Sequence, residues 1–230
     1  NNTAVGHGGG LAFDGGSPTL INVTISGNYA ANGGGAIGIY GNAQSDAAIV
    51  NSILWGNSPQ EIYFSDQSNA PSSVSIEYTN IQNGQDSIVI DDYGTVTWGE
   101  GNIDTDPLFV DASSGDYHLS DLSPAISAAT AEFTIDGVSY TAPTADMEGN
   151  PRPNPAGTVP DMGAYENENG AGVYNGPVWY VDGSNDFPYA NGSESAKFSK
   201  IQYGINAAAD GETVSVAAGT YVENISYSGK

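Results

Sequence analysis

The chain of 230 residues contains no cysteine, so disulfide bonds and thiolate-bound zinc are excluded. Lysine and arginine together number four against 27 aspartates and glutamates, giving a formal net charge of −23. So few cations argue against nucleic-acid binding, which requires basic side chains to neutralise phosphates, and disfavour anionic lipid surfaces. The chain has no run of 18 apolar residues, and the sequence therefore predicts no membrane span.

The scarcity of basic residues is most pronounced in the first part of the chain. Residues 1–100 contain nine acidic residues and no lysine or arginine. An enzyme acting on anionic sugars or phosphates needs cations at its site, so their absence argues against that chemistry. The chain begins with Asn1 and shows no signal peptide, and we expect a processed product or a piece of a longer protein.

Glycine is abundant, and it marks a repeat over the first eighty-odd residues. The segment GGGLAFDGGSPTLINVTISGN (8–28) aligns with GGGAIGIYGNAQSDAAIVNSILWGN (33–57), and a looser third copy covers 61–84. Each copy combines short apolar strands with polar turns and ends at a Gly-Asn or Asn-Gly pair. No copy is long enough to enclose a core alone, so the repeat predicts a solenoid of stacked strands.

Asparagine occurs at equivalent places in the first two copies. Asn22 and Asn51 each lie within the second strand of their repeat. Stacked one coil apart, their amides are expected to form a ladder of hydrogen bonds. The alternative is that each side chain closes an ordinary Asx turn.

The repeated Gly-Gly-Gly, INVTISGN and VNSILWGN segments resemble the right-handed parallel β-helix of the pectate-lyase-like superfamily. Four later motifs, in order, resemble a C-terminal module called choice-of-anchor Q, which closes β-helices of bacterial and archaeal surface proteins. This resemblance implies an extracellular or cell-surface location. The four motifs are GNIDTDPLFVD (101–111), GDYHLSDLSPAI (115–126), DMEGNPRP (146–153) and DMGAYEN (161–167).

The last part of the chain resembles the beginning of such a β-helix. After VWYVDGS comes a helix that we expect at about 199–209, with Ser199 as N-cap, followed by a first rung over 212–228. In relatives this helix plugs the open end of the solenoid. The expected fold is therefore all-β, a right-handed parallel β-helix with a β-rich closing module and one short capping helix. The expected divisions are rungs at 1–100, the closing module at 101–167, a glycine-rich linker at 168–177 and a start segment at 178–230.

These parts stand in rotated order, since the rungs and the closing module precede the start segment. We hypothesise that the start segment completes the β-helix of another copy, giving a head-to-tail homopolymer or a covalent tandem repeat. A fold-back of the start segment onto its own first rung is the intramolecular alternative. The expected assembly contacts join Val214, Val216, Tyr221, Val222 and Ile225 to Val5, Leu11 and Phe13.

Catalytic residues are not expected. The resemblance implies lyases that use Ca²⁺ with an arginine or lysine, and no basic residue lies on a rung. The pair Asp91-Asp92 could supply an acid and a base, but it is more typical of a solvated turn, and His7 and His118 are expected to be ordinary structural residues. The alternative function is a carbohydrate-binding or polysaccharide-degrading β-helix, with Trp55, Tyr63 and Trp98 as sugar-stacking platforms.

Calcium is the one candidate cofactor. Asp104, Asp106, Asp111 and Asp116 crowd the start of the closing module, and carboxylate oxygens are the ligands that Ca²⁺ prefers. The alternative is that these carboxylates accept backbone N–H groups in turns, with Arg152 pairing with an acid of the module.

Overall fold

The computed structural model describes residues 1–41, 43–65, 71–90, 94–135, 137–170, 174, 176–185 and 190–227. Most regular elements are short β-strands, accompanied by a 3₁₀ turn at Gly84–Ser87 and one α-helix. The strands are β1 (Thr3–Ala4), β2 (Leu11–Phe13), β3 (Thr19–Ile21), β4 (Thr24–Ser26), β5 (Tyr29–Ala30), β6 (Ile37–Ile39), β7 (Asp46–Val50), β8 (Ile53–Trp55), β9 (Ile62–Phe64), β10 (Ser72–Glu77), β11 (Asn80–Ile81), β12 (Ile88–Val89), β13 (Gly94–Trp98), β14 (Phe109–Asp111), β15 (Asp116–Leu119), β16 (Glu132–Ile135), β17 (Val138–Thr141), β18 (Val178–Val181) and β19 (Thr213–Val216), and α1 spans Ile201–Ala207.

The first thirteen strands form a parallel β-solenoid of about three coils, which confirms the predicted fold class. Three stacks run through it: β2–β6–β9–β12, β3–β7–β10–β13 and β4–β8–β11, and β1 pairs with β5. Every pairing within these stacks is parallel, as expected when successive coils lie on one another.

The core is built from apolar residues at equivalent positions of successive coils. One column places Leu20 beside Ile49 and Ile49 beside Ile76, and both isoleucines are fully buried. Similar columns run through the other two stacks, so each coil covers the apolar face of the next. Burial of these columns, with β-branched side chains suited to a pleated surface, is the main stabilisation of the solenoid.

The glycine triplets lie where neighbouring coils approach most closely. Gly9 donates its N–H to the oxygen of Gly34, and Gly35 donates to the oxygen of Gln60. A Cβ atom added to Gly35 would lie 2.3 Å from the nitrogen of Ser58, which no side chain tolerates. Glycine is therefore required at this position, because the backbone of the next coil fills the space.

The closing module packs along the flank of the solenoid, beside the β4–β8–β11 stack. Met162 is fully buried in a second apolar cluster that includes Ile53 of the solenoid and Ile126 of the module. Main-chain contacts fix the docking, since Gly163 donates to the oxygen of Asn51 at 2.7 Å. The module's strands form two antiparallel pairs, β14–β15 and β16–β17.

The start segment forms a separate small unit in which β18 and β19 pair in parallel and α1 covers them. Trp179, Val181 and Ile205 are buried between these elements. The helix begins at Ile201 with Lys200 as N-cap and no side-chain cap, so the prediction of Ser199 as N-cap is wrong. In the described parts of the chain, no helix has the length and apolarity needed to cross a membrane.

Candidate assembly interface and buried polar networks

Strand β2 carries two of the predicted interface residues on an open edge. Within the described residues β2 pairs only with β6, so its other side has no strand partner. Leu11 and Phe13 point inward and pack against the main core, while Ala12 between them is exposed. Val5 follows β1 and is 91% exposed, so it does not share the inward position of the β2 residues.

The backbone of β2 shows which groups face this open edge. The N–H of Leu11 donates to Ala36 O at 2.8 Å, and the oxygen of Phe13 accepts from Tyr40 N at 2.9 Å. In a parallel sheet, consecutive residues direct their backbone groups to opposite neighbours. The N–H and C=O groups of Ala12 are therefore directed away from β6, toward the open edge.

Strand β19 presents a second open edge. It pairs with β18, with Thr213 N donating to Pro177 O at 3.0 Å and Ala217 N donating to Val181 O at 2.8 Å. By the same alternation, the backbone groups of Val214 and Val216 face away from β18. The Val214 side chain lies against Gly204 of α1, whereas Val216 is 41% exposed.

The remainder of the predicted first rung contains no strand between 217 and 227. Tyr221 is held locally, because its hydroxyl accepts from Gly183 N and donates to Ala217 O, both at 3.0 Å. Val222 is 96% exposed and Ile225 is 41% exposed. Of the rung predicted over 212–228, the described residues 212–227 form a strand at Thr213–Val216 and no other.

Glu223 performs the capping role that the sequence suggested for Ser199. Its carboxylate accepts the N–H groups of Ile201 at 2.8 Å and Gln202 at 3.0 Å, which are the first two residues of α1. A carboxylate at the N-terminal end of a helix accepts hydrogen bonds from otherwise unpaired N–H groups, and its negative charge interacts favourably with the positive end of the helix dipole. The contact also fixes the side chain of Glu223 on the helix side of the segment.

The two open edges do not pair with each other within the described chain. The β18–β19 sheet includes no solenoid strand, so the fold-back alternative is not adopted in this structure. The distance along the solenoid does not by itself prevent a fold-back, because the closing module brings the chain back to the first coil. The backbone N–H of Ala164, near the end of the module, donates to Thr24 Oγ1 of that coil at 3.1 Å.

Asn22 and Asn51 lie one coil apart and are both buried. Asn51 Nδ2 lies 3.3 Å from Asn22 Oδ1, as a ladder requires. The prediction that they lie within a strand is wrong, because each occupies the bend between two strands, with a left-handed φ of 52° and 55°. Each amide also binds the closing module, Asn22 through Asp161 O and Asn51 through both backbone groups of Thr130. The pair therefore links two coils to each other and to the module.

A longer polar ladder was missed at the Gly-Asn pairs. Asn2 Nδ2 donates to Asn28 Oδ1 at 3.1 Å, and Asn28 Nδ2 donates to Asn57 Oδ1 at 2.9 Å. Asn57 then donates its backbone N–H and its amide to the two oxygens of Glu61. The recurrence of Gly-Asn after 29 residues was a usable signal for this ladder.

Glu61 terminates this ladder and is 1% exposed. Burial raises the pKa of Glu61 from 4.5 to about 7, although the two hydrogen bonds from Asn57 lower it in part. A raised folded-state pKa means that its stabilising contribution is complete below pH 4.5 and is lost as the pH rises through 7. Asp161, with a pKa raised by burial to about 8, acts in the same direction.

We therefore expect the free energy of unfolding to fall between pH 5 and pH 8, with Glu61 contributing roughly 2–3 kcal/mol of the decrease. Urea unfolding at both pH values should show this decrease in the native chain. Glu61→Gln should show a smaller one, because the amide does not titrate. Equal decreases in the two proteins would contradict a role for Glu61.

The closing module contains a buried ionic network built from its last two motifs. Arg152 pairs with Glu166 at 3.1 Å, and the two side chains are 1% and 0% exposed. The guanidinium also donates to the oxygens of Asp161 and Gly163. The Asp161 carboxylate accepts the backbone N–H groups of Ser127 and Asn167. The Glu166 carboxylate accepts those of Asn154 and Asp161. The network thus holds the 161–163 loop that docks on the solenoid.

The four candidate calcium ligands each accept hydrogen bonds nearby. Asp104 accepts from Asn83 N, Asp106 from Leu108 N and Asp111 from Ser113 and Ser114. Asp116 accepts from the backbone and ring of His118. Across the described residues, no three His, Cys, Asp or Glu side chains are grouped to hold a metal ion. Calcium at these four residues stays a prediction, and the contacts favour turn formation.

Chelation distinguishes these two roles. If the four aspartates only close turns, EDTA should leave the unfolding temperature unchanged, and added Ca²⁺ should not raise it. Calorimetry with and without EDTA at constant ionic strength makes the comparison. A fall in the unfolding temperature that Ca²⁺ reverses and Mg²⁺ does not would establish a calcium site instead.

The histidines and the proposed aromatic platforms are engaged in packing. His7 stacks on Tyr63 with ring centroids 5.3 Å apart, and Trp55 and Trp98 pack partly buried against the two apolar clusters. His118 lies on β15 with its two ring nitrogens 2.6 Å from Asp116 and 3.3 Å from Glu148. The hydrogen bond to Asp116 is the main cause of its raised pKa. The pair Asp91-Asp92 lies outside the described residues.

Comparison with known proteins adds no relative. No family model matches the chain, and no curated protein or solved structure is detectably similar to it. The parallel β-solenoid therefore rests on the strand pairing described above.

Proposed function

We propose that this chain is a structural protein of an extracellular or cell-surface filament, assembled head to tail. In this proposal the start segment of one copy completes the β-helix of the next copy, either as a separate subunit or as the next tandem repeat. The resemblances to a pectate-lyase-like β-helix and to a choice-of-anchor Q module support the surface location. We propose no catalytic activity.

One observation carries the proposal: among the strand edges left unpaired in the described residues, β2 and β19 are non-identical parallel edges whose free backbone groups can bond to each other. An exposed strand edge is a template for pairing, and soluble proteins normally cover or disrupt it. Two non-identical edges that fit each other generate heterologous contacts, which extend into open filaments when they do not close into a ring. Backbone hydrogen bonds would supply affinity, and the inward apolar residues would supply buried area.

The alternative proposal is a carbohydrate-binding or polysaccharide-degrading protein. An open depression lined by Tyr174, Tyr180 and Glu194 favours it, since tyrosine rings and a carboxylate are common partners of sugars. Incubation with polyuronates, followed by the absorbance of unsaturated products, tests lyase activity. Retardation on immobilised polysaccharide tests binding without cleavage.

Ala12→Pro tests the assembly proposal directly. Proline removes the N–H group that faces the open edge of β2, and it is tolerated in an edge strand at such a position. We expect this variant to keep the native circular dichroism spectrum and to sediment as a monomer at concentrations where the unsubstituted chain polymerises.

The matched control is Ala112→Pro, at the second position of the β-turn closed by Ser114 N and Asp111 O, where proline is favoured. This control should assemble like the unsubstituted chain. Assembly of Ala12→Pro to the same extent would contradict pairing at β2.

A further inference from the structure

We propose that β19 of one copy pairs in parallel with β2 of a second copy in a single register, with Val214 opposite Leu11, Ser215 opposite Ala12 and Val216 opposite Phe13. This inference rests on the proposed function and adds the residue pairs that form the contact. Three independent features of the two edges select this register.

The first feature is the direction of the backbone groups. On β2 the N–H and C=O of Ala12 face the open edge, and on β19 those of Val214 and Val216 do so. In a parallel ladder, a residue bonds to the two neighbours of the residue opposite to it. With Val214 opposite Leu11, Ala12 N–H meets Val214 O and Val216 N–H meets Ala12 O. A shift by one residue would leave these groups unpaired.

The second feature is the alternation of side chains. Leu11 and Phe13 face the core of the solenoid, with exposed Ala12 between them. Val214 lies against α1, with exposed Ser215 following it. Placing Val214 and Val216 over Leu11 and Phe13 continues the apolar columns of the solenoid by one coil. The same one-residue shift that breaks the hydrogen bonds would also put these valines on the outer face.

The third feature is the extent of the two strands, and it separates registers that differ by two residues. Strand β2 spans Leu11–Phe13, and β19 spans Thr213–Val216. With Ser215 opposite Ala12, both backbone groups of Ala12 meet residues of β19. A shift by two residues in either direction would place one of these two partners beyond the end of β19.

The second copy fits this edge for a further reason. Residues 1–13 contain no acidic side chain, although the whole chain carries a net charge of −23. Strand β2 itself is therefore free of acidic side chains that would repel Glu212 just before β19, and the first acidic residue, Asp14, follows the strand. Strands in this contact would lie about 4.8 Å apart, the spacing between coils of the solenoid.

The absence of native cysteine makes the register directly measurable. Ser215→Cys on one tagged chain is mixed with Ala12→Cys on a second, differently tagged chain, and the mixture is oxidised. Opposed residues have Cα atoms about 4.8 Å apart, which a disulfide can span. Thr213→Cys with Ala12→Cys is the shifted control, because its Cα atoms would be about 8 Å apart and cannot be bridged.

We expect the matched mixture to give a heterodimer at twice the subunit mass of 23.6 kDa, and the shifted mixture to remain monomeric on denaturing gels. Crosslinking of the shifted pair, or of neither pair in chains that sediment as polymers, would overturn the register and leave head-to-tail assembly standing. A chain carrying both Ala12→Cys and Ser215→Cys that crosslinks only to itself would overturn the second copy as partner. Chains that never polymerise would overturn the proposed function itself.

Discussion

Replacing Arg152 by methionine is expected to lower the free energy of unfolding by about 3–5 kcal/mol, because it leaves buried carboxylates without their cation. Arg152 is the sole partner of opposite charge in contact with Glu166 among the described residues, and both side chains are inaccessible to solvent. The substitution also removes the donors that hold the oxygens of Asp161 and Gly163. The docking loop should therefore loosen from the solenoid.

The loss should be larger at pH 8 than at pH 5. Burial raises the pKa values of Glu166 and Asp161, and the guanidinium opposes this rise. Without the guanidinium both pKa values rise further, so the variant is destabilised more at the pH where ionised carboxylates are favoured. Urea unfolding at the two pH values measures this difference. The matched control is Lys197→Met, whose Nζ lies 3.9 Å from an Asp182 oxygen at the surface and whose removal should cost under about 1 kcal/mol. Similar losses for the two variants would contradict the role assigned to the buried network.

Replacing Asn51 by alanine is the second substitution with a large expected effect, a loss of about 2–5 kcal/mol of unfolding free energy. The fully buried amide joins Asn22 on the previous coil and both backbone groups of Thr130 in the closing module. Alanine leaves these buried partners without hydrogen bonds, which lowers the free energy of unfolding by about 1–3 kcal/mol. It also places a residue with an ordinary Cβ at a φ of 55°, which lowers the free energy of unfolding by about 1–2 kcal/mol.

Asn83→Ala separates these two causes. Asn83 has a φ of 62°, but it is exposed and its side chain makes no capping hydrogen bond to the 3₁₀ turn that follows. We expect this control to lose only the backbone part, about 1–2 kcal/mol, in thermal or urea unfolding. If both alanine variants lost the same amount, the hydrogen bonds of Asn51 to the module would contribute nothing measurable.

The coils could be predicted from the sequence because their signal is periodic. Leu20 and Ile49 occupy equivalent places in two copies that share a glycine triplet and a Gly-Asn pair, and Ile76 continues their column in the looser third copy. The same periodicity places Asn22 beside Asn51. The same periodicity was also a signal for the ladder of Asn2, Asn28 and Asn57. This ladder was missed, and it ends at Glu61, where a carboxylate stands in place of a further asparagine.

The docking of the closing module has no such signal. Asn22 meets Asp161 across 139 positions and Asn51 meets Thr130 across 79, with no repeat connecting either pair. The cap of α1 also lacks a sequence signal, because Glu223 lies 22 positions after Ile201, whose N–H it accepts. Sequence rules favour local caps such as Ser199, and here a residue brought near by tertiary structure takes that role. The two open edges follow from strand order, but their hydrogen-bonding directions required coordinates.

The most direct test of head-to-tail assembly compares the intact chain with a variant lacking residues 178–230. Sedimentation velocity over a range of concentrations, with electron micrographs of the same samples, reports both mass and shape. We predict that the intact chain forms filaments whose length grows with concentration, and that the shortened chain stays monomeric. An intact chain that remains monomeric at every concentration, or a shortened chain that polymerises equally, would contradict the assignment of this segment to assembly.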